Sequence, residues 1–122
     1  MELIKIVNAR QVLDSLSDRE DVGSHLSYWM TKFVVKTEDD HKFYVSEMHK
    51  LFDKYAIKKE DNEDTVLIPP GKVADFNAAV DALNKTDAED PGIRFNLSEL
   101  STALNLSMKQ MYPLLDFIDE DK

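Results

Sequence analysis

The run from Leu26 to Tyr55 constrains this chain most, because Leu26, Met30, Phe33, Thr37, His41, Tyr44, Met48, Phe52 and Tyr55 recur in steps of three and four. Such steps align all of them along one stripe of an α-helix. A stripe of that length cannot be covered by its own helix, and the other apolar segments are short. The spacing therefore predicts a long helix along which the rest of the core is assembled. A second pattern competes at its centre. Phe33-Val34-Val35 and Phe43-Tyr44-Val45 flank the polar Glu38-Asp39-Asp40-His41, and β-branched and aromatic residues around a polar tip also spell a hairpin. The helix is favoured, because the spacing runs unbroken through the patch and the patch has no Gly, Pro or Asn for a tight turn. Lys32 and Lys36, at helical spacing from Asp39 and Asp40, add a little support.

The remaining elements are brief. Leu3 to Val7 is rich in Leu, Ile and Val and reads as a strand, with Asn8 as N-cap of a short helix from Ala9 to Leu16. The polar cluster Ser17 to Asp21 and Gly23 close that helix, and the long one begins near Ser24. The charged run Lys58 to Asp64 reads as a solvated loop, and Thr65-Val66-Leu67-Ile68 as a second strand ended by Pro69 and Pro70. A helix over Pro70 to Asn84 carries Val73, Phe76, Val80 and Leu83 on one face, so antiparallel packing against the long helix uses both stripes. After a turn-forming segment, Lys85 to Pro91, a third strand is read at Ile93-Arg94-Phe95, and the three strands together make one small sheet. Two capping boxes, Asn96-Leu97-Ser98-Glu99 and Ser107-Met108-Lys109-Gln110, mark a C-terminal helical pair, Leu97 to Leu104 and Met108 to Ile118. That pair is expected to bury Leu97, Leu100, Leu104, Leu106, Met111, Leu114, Leu115 and Ile118. With 122 residues, 43% of them hydrophobic, the expectation is a single domain over residues 1–122 of mainly α (α+β) class.

Charge narrows the function. A net charge of -9 repels nucleic-acid phosphate, so direct DNA or RNA binding is disfavoured, and the commonest use of such charge is solubility. The C-terminal pair resembles a helix-turn-helix by eye, yet its second helix offers only Lys109 and Gln110 to bases, contains Pro113 and ends in the acidic Asp116 to Asp121. The chain has no cysteine, hence no disulfide, thiolate nucleophile or cysteine-bound zinc. Its first residues lack a basic n-region and apolar h-region, and no stretch approaches the roughly 20 apolar residues of a membrane span, so a soluble intracellular protein is expected. His41 and His49 lie more than two helical turns apart with Val45 between them, and His25 stands alone, so no metal site is expected. No nucleophile–base spacing, P-loop or dinucleotide fingerprint occurs. A non-enzyme without cofactor is the expectation.

What remains is an apolar cluster, Tyr28, Trp29, Met30 and Phe33 with Val34 and Val35, of the residue types enriched at interface hot spots. Tyr28, Trp29, Phe33 and Val34 are the candidate partner-binding residues, and the apolar surplus there predicts self-association into a homo-oligomer.

Over most of its length the chain resembles a family of small phage and prophage proteins of Gram-positive bacteria, domain of unknown function 1617. The likeness rests on Ile4-Lys5-Ile6-Val7-Asn8, on Met48 to Lys58 leading into Asp61-Asn62-Glu63, on Asp75-Phe76-Asn77, and on Leu106-Ser107 followed by Met111-Tyr112-Pro113-Leu114-Leu115. Pro113 stands where members tend to have an acidic residue, and linker lengths differ. The resemblance implies phage origin, a mainly helical fold and no catalytic residues. The resulting expectation is a non-enzymatic phage accessory protein acting by protein–protein contact, in virion assembly or on a host factor, in the host bacterial cytoplasm or on the virion. The alternatives are a nucleic-acid-linked regulator using the C-terminal unit and an acidic nucleic-acid mimic that inhibits a host DNA-binding protein.

Overall fold

A computed structural model describes residues 1–55, 57–59 and 62–119 and shows a mainly helical protein. Its first helix, α1 (Leu3–Ser15), occupies the segment where the sequence predicts a strand. The buried residues Leu3, Ile6, Val7, Ala9, Arg10 and Leu13 explain why. Ile6, Ala9 and Leu13 join one hydrophobic cluster, whereas Leu3 and Val7 join a second. A helix buried on two sides shows no single apolar stripe, so its run of Leu, Ile and Val imitates a strand. Asn8 is an exposed mid-helix residue and caps nothing. Backbone bonds from Leu3 N to Thr86 O at 2.8 Å and from Ala88 N to Met1 O at 2.7 Å tie the start of α1 to the segment after the fourth helix.

The predicted long rod is helical but divided, into α2 (Ser24–Lys36) and α3 (Glu38–Tyr55), with Thr37 between them at φ -100 and ψ 8. No hairpin turns back at Asp39 and Asp40. Thr37 is buried, and its hydroxyl donates to the Phe33 carbonyl at 2.7 Å, a back-bond that bends helices. Arg10 of α1 reaches the same joint: Nη1 donates to the Val34 carbonyl at 2.7 Å and Nη2 to Glu38 Oε2 at 3.3 Å. The divided stripe then serves different neighbours. Leu26, Met30 and Phe33 enter the main core, while Tyr44, Met48 and Leu51 are half-buried against Leu3, Val7 and Leu83. Because α1 packs against α2, α3, α4 (Val73–Asn84) and the C-terminal 3-10 turn (Tyr112–Phe117), it is the element around which the core is built.

Helix α4, preceded by a 3-10 turn at Pro70–Lys72, packs antiparallel on α3 as the two stripes predict. Tyr44 Oη donates to Asn84 Oδ1 at 2.9 Å near one end, and Phe52 and Tyr55 lie 5.4 and 6.1 Å from the Phe76 ring near the other. The connection between them is an antiparallel hairpin, β1 (Ile57–Lys59) and β2 (Asn62–Leu67), so the charged run read as a loop is largely strand. Glu60 and Asp61 of that run lie outside the described residues, as do Ala56 before it and Glu120, Asp121 and Lys122 at the acidic end.

The C-terminal pair forms in shortened shape, as a π turn at Glu99–Ala103 and a single α turn, α5 (Met108–Met111), that tightens into the 3-10 turn. Pro113 supplies the reason, since it lacks the N–H that would continue an α-helix. The capping box at Ser107 forms as read: Gln110 N donates to Ser107 Oγ at 3.3 Å and Ser107 N to Gln110 Oε1 at 3.0 Å. At three residues per turn, Leu114 and Phe117 point inward and Leu115 does not, correcting its place in the expected core. The end of the turn becomes β4 (Ile118–Asp119), parallel to β3 (Phe95–Asn96). Two separate two-stranded sheets thus replace the single sheet predicted from three strands.

Before β3, Asp90 organises the turn: Gly92 N donates to its Oδ1 at 2.8 Å, and Arg94 Nη1 and Nη2 donate to its two oxygens at 3.0 and 2.6 Å. The Arg94 guanidinium first, and then the Gly92 N–H, hold the Asp90 carboxyl down to about 2. A carboxyl depressed in the folded state contributes stability that is complete above its unfolded value near about 4 and is lost as pH falls toward about 2. Since the Asp90 side chain is 40% exposed, solvent screening reduces the contribution to about 1 kcal/mol or less. Asp90→Asn is expected to lower the urea midpoint at neutral pH, with the difference from wild type shrinking through that acid window.

Candidate partner-binding surface

The buried side of α2 is set by Leu26, Met30 and Phe33; helical geometry turns Tyr28 and Lys32 away from it and leaves Trp29 at its edge. Tyr28 is 55% and Trp29 37% exposed. Their rings meet edge to face at 5.3 Å, and the Lys32 ammonium lies 5.6 Å from the Tyr28 centroid and 5.8 Å from that of Trp29. Edge-to-face packing and a shared cation hold the rings in a defined arrangement before anything binds. Val35 continues the strip at 66% exposure.

The other candidates from sequence are placed elsewhere. Phe33 is fully buried, with ring centroids 5.8 Å from Phe95 and 4.9 Å from Phe117, so it is core and touches no partner. Its membership in the Leu26, Met30, Phe33 stripe already carried that information. Val34 is half-buried and lines a groove of about 270 Å³ between α1 and α2, with Leu13, Leu16 and Met30. Arg19 borders the same groove, and its Nη2 donates to the Leu104 carbonyl at 2.9 Å.

A smaller cleft of about 190 Å³ adjoins Trp29, lined by His25, Arg94, Glu99 and Asp119. His25 Nδ1 lies 3.1 and 3.2 Å from the Glu99 carboxylate oxygens, and the Arg94 guanidinium lies 5.6 Å from the centre of the Phe117 ring. The Trp29 and Phe95 rings beside the Arg94 cation and the Glu99 and Asp119 carboxylates suit recognition of a partner's side chain. Among the described residues, no Ser, Thr or Cys lines the cleft beside His25 to serve as its nucleophile.

Sequence reasoning missed several exposed apolar residues, above all Met108 at 87%, Tyr112 at 74% and Leu115 at 56%. Of these, only the phase change at Pro113 was there to be read. His41 and His49 line one shallow groove on α3, and among the described residues no group of three His, Cys, Asp or Glu is placed to hold a metal. None of the described helices is long and apolar enough to cross a membrane. Comparison of the chain with protein-family models, curated proteins and solved structures returns no match.

Proposed function

We propose that this chain is a non-enzymatic accessory protein of a bacteriophage or prophage that works by binding another protein, of the phage or of its host, and that also associates with itself. The single observation that carries this reading is the exposed Tyr28–Trp29 pair capped by Lys32, set between a polar cleft and a groove of mixed polar and apolar lining. Aromatic residues at the centre of a patch, with pockets beside them, are where binding energy concentrates. The phage setting comes from the family resemblance, and virion assembly and host-factor binding both fit it.

Trp29→Ala is expected to weaken capture of a specific partner from infected cells by about thirtyfold, a hot-spot loss of about 2 kcal/mol, while leaving the circular dichroism spectrum unchanged. The same captured set for wild type and Trp29→Ala, or no partner at all, overturns the reading. The acidic-mimic alternative draws on one feature, a groove of about 330 Å³ lined by Asp39, Asp40, Glu89 and Asp90 together with Lys36 and Pro91. Burial first, then the charges of Asp39 and Glu89, push the Asp40 carboxyl above its ordinary range. Competition between DNA and this chain for one captured protein decides for that alternative.

A further inference from the structure

We infer that the exposed side of α1, with the grooves that flank it, is the face on which a second copy of this chain docks. This rests on the self-association part of the reading above and places it away from the Tyr28–Trp29 surface. Asn8, Gln11 and Ser15 are exposed on α1 in helical steps and form a ridge that is itself one wall of the groove toward α5, with the exposed Asp14 off to its side, toward α2. On one side of it lies the groove toward α5, about 820 Å³, lined by Val12, Met108, Tyr112 and Pro113 among others. On the other lies a shallow groove of about 180 Å³ toward α3, with Val45, His49 and Phe52. Gln11 borders both.

A ridge beside a groove is complementary to itself under a two-fold rotation, since each copy's helix then enters the other's groove. Charge selects the same face and the same occupant. A chain of net charge -9 repels its own copy wherever carboxylates face each other. Asp and Glu fill 24 of 122 positions, yet among the described residues none lines either groove, and of the described lining residues Lys109 alone is permanently charged. A basic partner would be drawn instead to carboxylate-lined surfaces such as that at Asp39, Asp40, Glu89 and Asp90. Met108 and Tyr112, strongly exposed in the single chain, are the residue types that interfaces concentrate.

Sedimentation velocity and light scattering of the full chain, from about 1 to about 100 µM, are expected to show mass rising from 14.0 kDa toward twice that value. Met108→Glu with Tyr112→Glu, at positions already in solvent, should weaken the dimer by about a hundredfold or more, because each copy would bury unpaired charge. Gln11→Arg, a separate variant on the ridge, should weaken it as well. A benzophenone amino acid in place of Tyr112 should crosslink to an α1 peptide of the second copy. A monomer at every concentration, a dimer that survives the glutamate pair and Gln11→Arg, a crosslink to another segment, or a dimer dissolved by Trp29→Ala overturns the inference. Loss of the dimer variants' self-association with partner capture intact supports it. Failure of partner capture with the dimer intact removes only the heterologous part of the proposed function.

Discussion

Phe33→Ala is expected to lower the free energy of unfolding by about 3–5 kcal/mol, the range for truncating a well-packed buried aromatic ring. The ring is completely enclosed and touches Phe95 from β3 and Phe117 from the C-terminal turn, so removing it opens a cavity where three separated parts of the chain meet. Those neighbours cannot easily close over it, since β3 and β4 hold each other in register at Phe95–Ile118 and Asn96–Asp119. Urea denaturation followed by circular dichroism measures the loss. Against a typical total of about 5–15 kcal/mol, much of the stability disappears. The comparison with Trp29→Ala is informative: a surface Trp variant should lose binding and keep stability, whereas Phe33→Ala should lose stability first. An unfolding midpoint unchanged in Phe33→Ala would contradict the packing described above.

Arg10→Ala is expected to cost about 2–4 kcal/mol by the same measurement, for reasons that differ from a simple ion pair. The guanidinium stabilises the Val34 carbonyl, one of the last acceptors of α2, and contacts Thr37 Oγ1 at 3.3 Å. Charged donors to such groups are worth about 1.5–3 kcal/mol, and the buried methylene stem adds packing. Glu38 contributes less, because its side chain is 47% exposed. Arg10 Nε is buried without a hydrogen-bond partner among the described residues, which is a cost that Arg10→Met relieves while keeping most of the stem. Arg10→Met should therefore destabilise by less than Arg10→Ala, about 1–2 kcal/mol. Equal losses in both variants would show that the stem contributes nothing, and no loss in either would remove the clasp at the α2–α3 joint.

The candidate surface was half readable in advance. Tyr28 and Trp29 stood out by residue type, and the stripe that places Leu26, Met30 and Phe33 inward places Tyr28 outward and Trp29 at its edge. Composition alone wrongly added Phe33, because hot-spot residue types are also core residue types. Met108 and Tyr112 escaped notice, since their exposure depends on how α5 and the 3-10 turn sit against α1.

By itself the sequence determined what acts over a few neighbouring residues: the helical period from Ser24 to Tyr55, the Ser107–Gln110 capping box, and the matched stripes that pair α3 with α4. Only the tertiary structure decided that α1 is a helix at the centre, that the rod bends at Thr37, and that the strands separate into two sheets. The physical reason is range. Period and capping are bonds within a turn or two, whereas α1 owes its burial on two sides, and the joint its clasp, to groups far away along the chain.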